Sequence, residues 1–182
     1  MMKKLLILLF ALTPLLGFSQ VDFRLQEDGS FKTADGNDYQ IIKRDSMSSK
    51  ELYGLIMTNL NRVYISPKDV ISQADDKSIS VRGYKEDLLS VSGFWEYAGV
   101  YGGHYKLLFE FKDGKIKVSA PIIEDELALF QHQTSFRNQL KKYFGNKGNI
   151  SEKNKKKLDK INLYINNLIN SICEQKASNN DW

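Results

Sequence analysis

No pair of residues constrains this chain more than Asp113-Gly114. A two-residue type I′ turn there sets Phe111 opposite Ile116, Phe109 opposite Val118 and Leu107 opposite Ala120, every pair apolar. On the other face the same register sets Glu110 opposite Lys117 and Lys112 opposite Lys115, a polar set. One face of this sheet is therefore core and the other meets water. A sheet of this kind needs a cover for its apolar face.

Two segments can supply that cover. Ser48 followed by Glu51 is a capping-box signature, and Leu52, Leu55, Ile56, Leu60 and Val63 recur at helical spacing, which predicts a helix from about Ser49 to Tyr64 that Pro67 ends. Ser151 caps a second helix in which Leu158, Ile161, Ile165, Leu168 and Ile172 keep a three-four spacing. Between them, Val70 to Ala74 and Ser78 to Gly83 flank Asp75-Asp76-Lys77 as a hairpin, with Ile79 and Val81 alternating against Ser78, Ser80 and Arg82. Asp38 to Arg44 reads as a strand. After Pro121 the pattern turns helical, with Phe136, Leu140, Tyr143 and Phe144 in a short helix stopped by Gly145. The class is α+β, an antiparallel sheet covered on one face by helices.

The ends set compartment and size. Lys3 and Lys4 precede the apolar run Leu5 to Leu16, and the small residues Gly17 and Ser19 follow, the pattern of a signal peptide cleaved after Ser19. A run of about twelve residues is short for a bilayer span, which needs about twenty. Gln20, not a cysteine that could carry a lipid anchor, stands directly after the cleavage site, so the mature protein is expected to be soluble in the periplasm or outside the cell. Taking residues 1–19 from 182 leaves 163, the size of one domain, and removes two lysines from a net charge of +4. The organisation expected is a signal peptide (1–19), an N-terminal extended segment with Asp28-Gly29 and Asp35-Gly36 turns (20–36), a sheet-and-helix domain (37–145), a C-terminal amphipathic helix (146–176) and a polar tail (177–182). Cys173 is the one cysteine, which excludes an internal disulfide and reads as a small core hydrophobe.

The strand before Ser48-Ser49-Lys50-Glu51-Leu52-Tyr53, then Asp69-Val70-Ile71 before a hairpin, then Lys112-Asp113-Gly114-Lys115, together resemble a secreted Bacteroidota family described as a domain of unknown function with a TBP-like fold. The similarity covers about Tyr39 to Ile122. It implies a strand, helix, four-strand, helix arrangement and no activity. DNA binding does not follow, because there is a single copy of the unit, an export signal and little net charge.

No catalytic constellation, cofactor motif or metal spacing is present, so an enzyme is not expected. His132 follows Glu124, Asp125 and Glu126, but no nucleophile motif accompanies an acid-base pair of His132 with Glu126, and a surface histidine on a helical turn is the plainer reading. Gly102-Gly103 beside His104 lacks phosphate-loop spacing and reads as a turn or bulge. Asp35, Asn37 and Asp38 read as a turn rather than a calcium loop. The densest aromatic stretch holds Phe94, Trp95, Tyr97, Tyr101, His104 and Tyr105, which stack on a sugar or anchor a partner protein if exposed, and enter the core as strand positions if not. Eight lysines between Lys141 and Lys160 face only Glu152 and Asp159. Among them Lys153, Lys155, Lys156, Lys157 and Lys160 suit anionic lipid headgroups or lipopolysaccharide, or simply a solvated helix start. The expectation is an exported non-catalytic domain for a protein or glycan partner, with an anionic surface as the alternative and no nucleic acid.

Overall fold

A computed structural model describes residues 20–74, 77–91, 99–129, 132–144 and 150–175. The expected signal peptide, the expected Asp75-Asp76 turn, the Phe94-Trp95-Glu96-Tyr97 run, Gly145 with the expected linker after it, and the expected polar tail lie outside the described residues. Among the described residues nine strands and four helices follow in order: β1 (Arg24–Leu25), β2 (Phe31–Lys32), β3 (Tyr39–Lys43), α1 (Ser49–Val63), α2 (Pro67–Val70), β4 (Ile71–Ala74), β5 (Ser78–Val91), β6 (Gly99–Lys112), β7 (Lys115–Ser119), β8 (Ile122–Leu129), β9 (His132–Ser135), α3 (Phe136–Phe144) and α4 (Glu152–Cys173).

The Asp113-Gly114 register is the one expected: Phe109 pairs with Val118, Glu110 with Lys117, Phe111 with Ile116 and Lys112 with Lys115. Gly114 has φ +74°, a conformation that side chains disfavour. The turn is also docked. Arg44 N–H donates to the Gly114 carbonyl at 2.7 Å, Gly114 N–H to the Met47 carbonyl at 2.8 Å, and Ser49 N–H to Asp113 Oδ1 at 2.8 Å. A carboxylate thus sits at the positive end of α1, whose capping box between Ser48 and Glu51 is formed.

The sheet is larger than the local pattern indicates. Strands β5 and β6 are each 14 residues long, and β5 runs on past Gly83 to Val91. The principal order is β3-β7-β6-β5-β4, with β8 also on β6 and β9 on β8. Pro121 lacks a ladder N–H and breaks the return strand, yet the chain resumes as β8 along the other half of β6, pairing Lys106 with Ile122 and Gly102 with Ala128. The helical reading directly after Pro121 is therefore corrected for 122–129 and 132–135, which form two antiparallel strands ahead of the expected short helix. Pro67, likewise, opens a one-turn helix, and the strand begins at Ile71.

Residues of β6 alternate strictly from Tyr105 to Lys112: Tyr105, Leu107, Phe109 and Phe111 are buried, while Lys106, Leu108 and Lys112 are exposed. Leu52, Ile56 and Leu60 of α1 and Leu158, Ile161, Ile165, Ile169 and Ile172 of α4 cover the apolar face. Ile169 takes the fully buried place expected of Leu168, which is half-buried. Burying each such aliphatic side chain contributes about 1.5–3 kcal/mol. Cys173 lies in this core, where burial pushes its thiol up to about 12, so it stays protonated.

The N-terminal segment completes the core in an unusual way. Val21, Phe23, Leu25 and Phe31 are buried, and the backbone of the first three is bonded by side chains of α4. Val21 N–H donates to Asn170 Oδ1 at 2.8 Å, Phe23 N–H to Asn166 Oδ1 at 2.9 Å and Leu25 N–H to Asn162 Oδ1 at 2.9 Å. Asn166 and Asn170 donate back to the Phe23 and Val21 carbonyls at 2.8 and 3.1 Å. Four residues of helix advance ~6 Å and two of strand ~6.7 Å, so asparagines at every fourth helical position meet every second strand residue. Gln40 serves the opposite edge, donating to the Gln20 carbonyl and accepting from Asp22 N–H. Replacing Asn166 by Ala leaves a backbone donor and acceptor of Phe23 without partners, and the expected cost is about 2 kcal/mol. Urea denaturation should show that loss, and Asn167→Ala, on the exposed side of α4, should change the midpoint little.

Candidate functional site

The water-facing side of the sheet is built from β3, β7, β6, β5 and β8. Pairing aligns its side chains in rows across the strands. Tyr39 lies opposite Ser119; Ile41 opposite Lys117, and Lys117 opposite Glu110; Lys43 opposite Lys115, and Lys115 opposite Lys112. Farther along, Arg82 lies opposite Lys106 and Lys106 opposite Ile122, and Tyr84 lies opposite His104. Large apolar side chains stand open among these charges: Tyr39 is 43% exposed, Tyr84 47%, Leu108 36% and Ile122 59%. A cleft of about 1110 Å³ opens at the β3-β7-β6 end, lined in part by Tyr39, Ile41, Lys112, Lys115 and Lys117.

Charges on this face are mostly paired. Lys117 Nζ meets Glu110 Oε2 at 2.7 Å and lies 5.6 Å from the Tyr39 ring centroid. Glu124 accepts two parallel bonds from Arg82, both 2.8 Å, and is 3.3 Å from Lys106 Nζ. The Arg82 guanidinium, aided by Lys106 and opposed by partial burial, holds the Glu124 carboxyl down at about 2.

Of the aromatic candidates, Phe94, Trp95 and Tyr97 fall outside the described residues. Tyr101 and Tyr105 are corrected as contact residues. They are 7% and 1% exposed, because odd-numbered positions of β6 point into the core. The Tyr105 ring fills the space over Gly83, where a Cβ would stand 2.3 Å from its hydroxyl oxygen. That hydroxyl meets Tyr64 at 3.0 Å and Tyr164 at 3.3 Å, joining α1, β6 and α4. Burial raises all three phenols, Tyr64 to about 12, so the trio is a neutral structural joint and no nucleophile.

His104 is half-buried on the outer face in mid-strand, with its ring 5.0 Å from that of Tyr84. Gly102 and Gly103 are strand residues, not a turn, although the β6-β8 register does shift between Gly103 and Tyr105. They are small because other side chains occupy their space: a Cβ on Gly102 would stand 2.0 Å from the Tyr84 hydroxyl, and one on Gly103 2.7 Å from Leu127. Tyr39 and Tyr84 are exposed aromatics that sequence reading missed. The one signal for Tyr84 is continued alternation beyond Gly83.

His132 belongs to β9 opposite Leu129, and Glu126 pairs with Ser135. Three ladder steps, ~10 Å along the strand, separate their backbone positions. Asp125 instead accepts from the Ser135 hydroxyl and from Arg137 N–H at 3.0 Å, steadying the start of α3. Asp35 and Asn37 lie in a tight turn closed by Thr33 N–H to the Asn37 carbonyl. Among the described residues no three His, Cys, Asp or Glu side chains are grouped to hold a metal ion, and no helix is long and apolar enough to cross a membrane. The lysines of α4 are exposed except Lys157, which is half-buried 5.2 Å from the Tyr143 ring centroid; burial, with Lys153 and Lys160 nearby, lowers its pKa.

No family model matches the sequence, and no curated protein does. Solved structures do match. A TBP-like protein from Parabacteroides distasonis aligns over 76% of this chain and 92% of its own, with a TM-score of 0.52 and 12% identity. A DUF4468 family protein from Bacteroides ovatus aligns over 75% and 85%, with a TM-score of 0.51 and 11% identity. The chain thus has the α+β, TBP-like fold implied by the resemblance in its sequence, and the likeness speaks to fold alone.

The Arg82-Glu124 pair gives a pH test. Because the folded carboxyl titrates below its usual range, its stabilising effect is present above pH ~4.5 and is lost as pH falls toward about 2. Glu124→Gln should lower the urea midpoint at pH 7, and the difference from wild type should vanish near pH 2.

Proposed function

We propose that this chain is an exported, non-catalytic binding or accessory domain of the cell envelope that engages a protein or glycan partner through the water-facing side of its sheet. The observation that carries the reading is the exposure of Tyr39, Tyr84, Leu108 and Ile122 on that side. Apolar side chains set among charges are the mixture found in interaction surfaces, where aromatic groups contribute most of the contact. Export rests on the Lys3-Lys4 start and the apolar run Leu5 to Leu16. Phe94, Trp95 and Tyr97, which lie between β5 and β6 in sequence, remain candidates. The test is crosslinking capture by the tagged mature chain from its own envelope fraction, with wild type compared against Tyr39→Ala/Ile122→Ser. A partner or glycan held by wild type should be retained at least tenfold less by the variant at an unchanged urea midpoint; equal retention would remove the outer face from consideration.

A second reading uses the lysines of α4. Lys153, Lys157 and Lys160 recur along one helical face, and the lowered pKa of Lys157 reflects their crowding as well as burial. Four lysines in the first turns of a helix are each disfavoured by a few tenths of a kcal/mol, a cost that an anionic lipid or lipopolysaccharide surface would offset. Cosedimentation with phosphatidylglycerol vesicles should then fall steeply between 50 and 300 mM salt, on the order expected from screening. Absent or salt-independent binding would end this reading.

A further inference from the structure

Strand β3 ends the main sheet with one side unpaired. Which of its residues look outward follows from its bonds to β7. Ala120 N–H donates to the Asp38 carbonyl and Arg44 N–H to the Gly114 carbonyl, both at 2.7 Å. Antiparallel ladders alternate, so Asp38, Gln40, Ile42 and Arg44 turn their backbone toward β7, while Tyr39, Ile41 and Lys43 turn theirs to the open edge. Among the described residues no hydrogen bond reaches the backbone N–H or C=O of Tyr39 or Ile41, and the Lys43 carbonyl accepts from the side chain of its neighbour Arg44 at 2.9 Å. Strand edges are ordinarily blunted by proline, bulges, lysines or a covering segment, and of these β3 has only Lys43. At the far end of the sheet β4 shifts register between Ile71 and Gln73, whereas all five residues of β3 pair with β7 without a break. Beside the Tyr39 end a groove of about 320 Å³ separates this edge from Asp22, Thr33, Asp35 and Asn37, so the N-terminal segment approaches the edge without closing on it.

We propose that this edge is a homodimer interface, in which β3 of a second copy pairs antiparallel with β3 about a two-fold axis at Ile41. In that register the strand complements itself. Tyr39 meets Lys43 of the second copy, Ile41 meets Ile41, and no like charges stand opposite one another. The Tyr39 ring already has Lys117 5.6 Å from its centroid on the β7 side, and Lys43 of the second copy comes to its other side. The same lysine arrives where the groove is lined by Asp22 and Asp35. Sliding the register by two residues leaves only Tyr39 to Ile41, or only Ile41 to Lys43, in the ladder; sliding it by one sets backbone that faces the edge against backbone that faces β7. A strand from an unrelated protein requires no such self-match, which favours a second copy. The two sheets then run on as one, and the 1110 Å³ clefts, each lined in part by Tyr39 and Ile41, adjoin at the axis. This pairing is independent of the partner-binding reading above.

Sedimentation equilibrium of the mature chain from about 5 to 500 μM tests the interface, a range suited to a contact of less than ~1,200 Å². The average mass of wild type should rise from one chain toward two. Tyr39→Lys, which sets lysine opposite lysine at both ends of the ladder, should weaken association about tenfold or more, and adding Lys43→Glu to it should restore association. Four residues of strand put positions 39 and 43 ~13 Å apart within one chain, so the second change compensates the first only between copies. Ile41→Pro removes an N–H that faces the edge and spares the β3-β7 ladder, and it should abolish the dimer. A wild type that stays monomeric throughout, a dimer indifferent to Tyr39→Lys and Ile41→Pro, or a loss in Tyr39→Lys that Lys43→Glu does not repair would each overturn the proposal.

Discussion

The structure depends on β6. This 14-residue strand is paired along one edge by β5 and along the other by β7 and then β8, so all the remaining strands of the main sheet are placed relative to it. Its alternation decides which side of the sheet is core. Tyr105, Leu107, Phe109 and Phe111 draw α1 and α4 onto one face, because a row of large apolar side chains in water is the least stable alternative. The glycines of the sheet follow from the same crowding. Gly83, Gly102 and Gly103 are places where a ring or a leucine from a neighbouring strand needs the volume of a Cβ.

Covering the sheet leaves one strand-like segment outside it, with only the two-residue β2 beside its end. Residues 21–25 are buried on their apolar side, and buried backbone must find hydrogen-bond partners. The amides of Asn162, Asn166 and Asn170 provide them, acting as a ladder partner made of helix side chains. The arrangement works because an amide both donates and accepts and because helical and extended repeats nearly match in length. It ties the first residues after the expected signal peptide to the last helix, about 145 positions away in sequence.

With the helices on one face, the other is left to solvent. Its charges are arranged in registered rows, most of them neutralised locally, and its exposed aromatic and aliphatic side chains lie among them. The TBP-like likeness concerns backbone arrangement. The side chains on this surface are this chain's own, with lysine, tyrosine and isoleucine among them, and the shared fold does not specify them.

By itself the sequence determined what short-range chemistry controls. The Asp113-Gly114 register, the Ser48-Glu51 capping box, the helix starting after Ser151 and the inward face of each follow from turn geometry, caps and periodicity, all of which act within a few residues. Tertiary structure decided what needs distant partners. Residues 122–129 and 132–135 become strands because half of β6 would otherwise lack a ladder partner, a demand invisible in their own pattern. Tyr101 and Tyr105 go inward, and Tyr84 outward, because strand parity fixes direction, and parity there depends on a strand continuing past Gly83. The asparagine column and the lysine row were in plain view as residues, but polar side chains at regular spacing look alike whether they meet water, a backbone or each other, and only packing tells these apart.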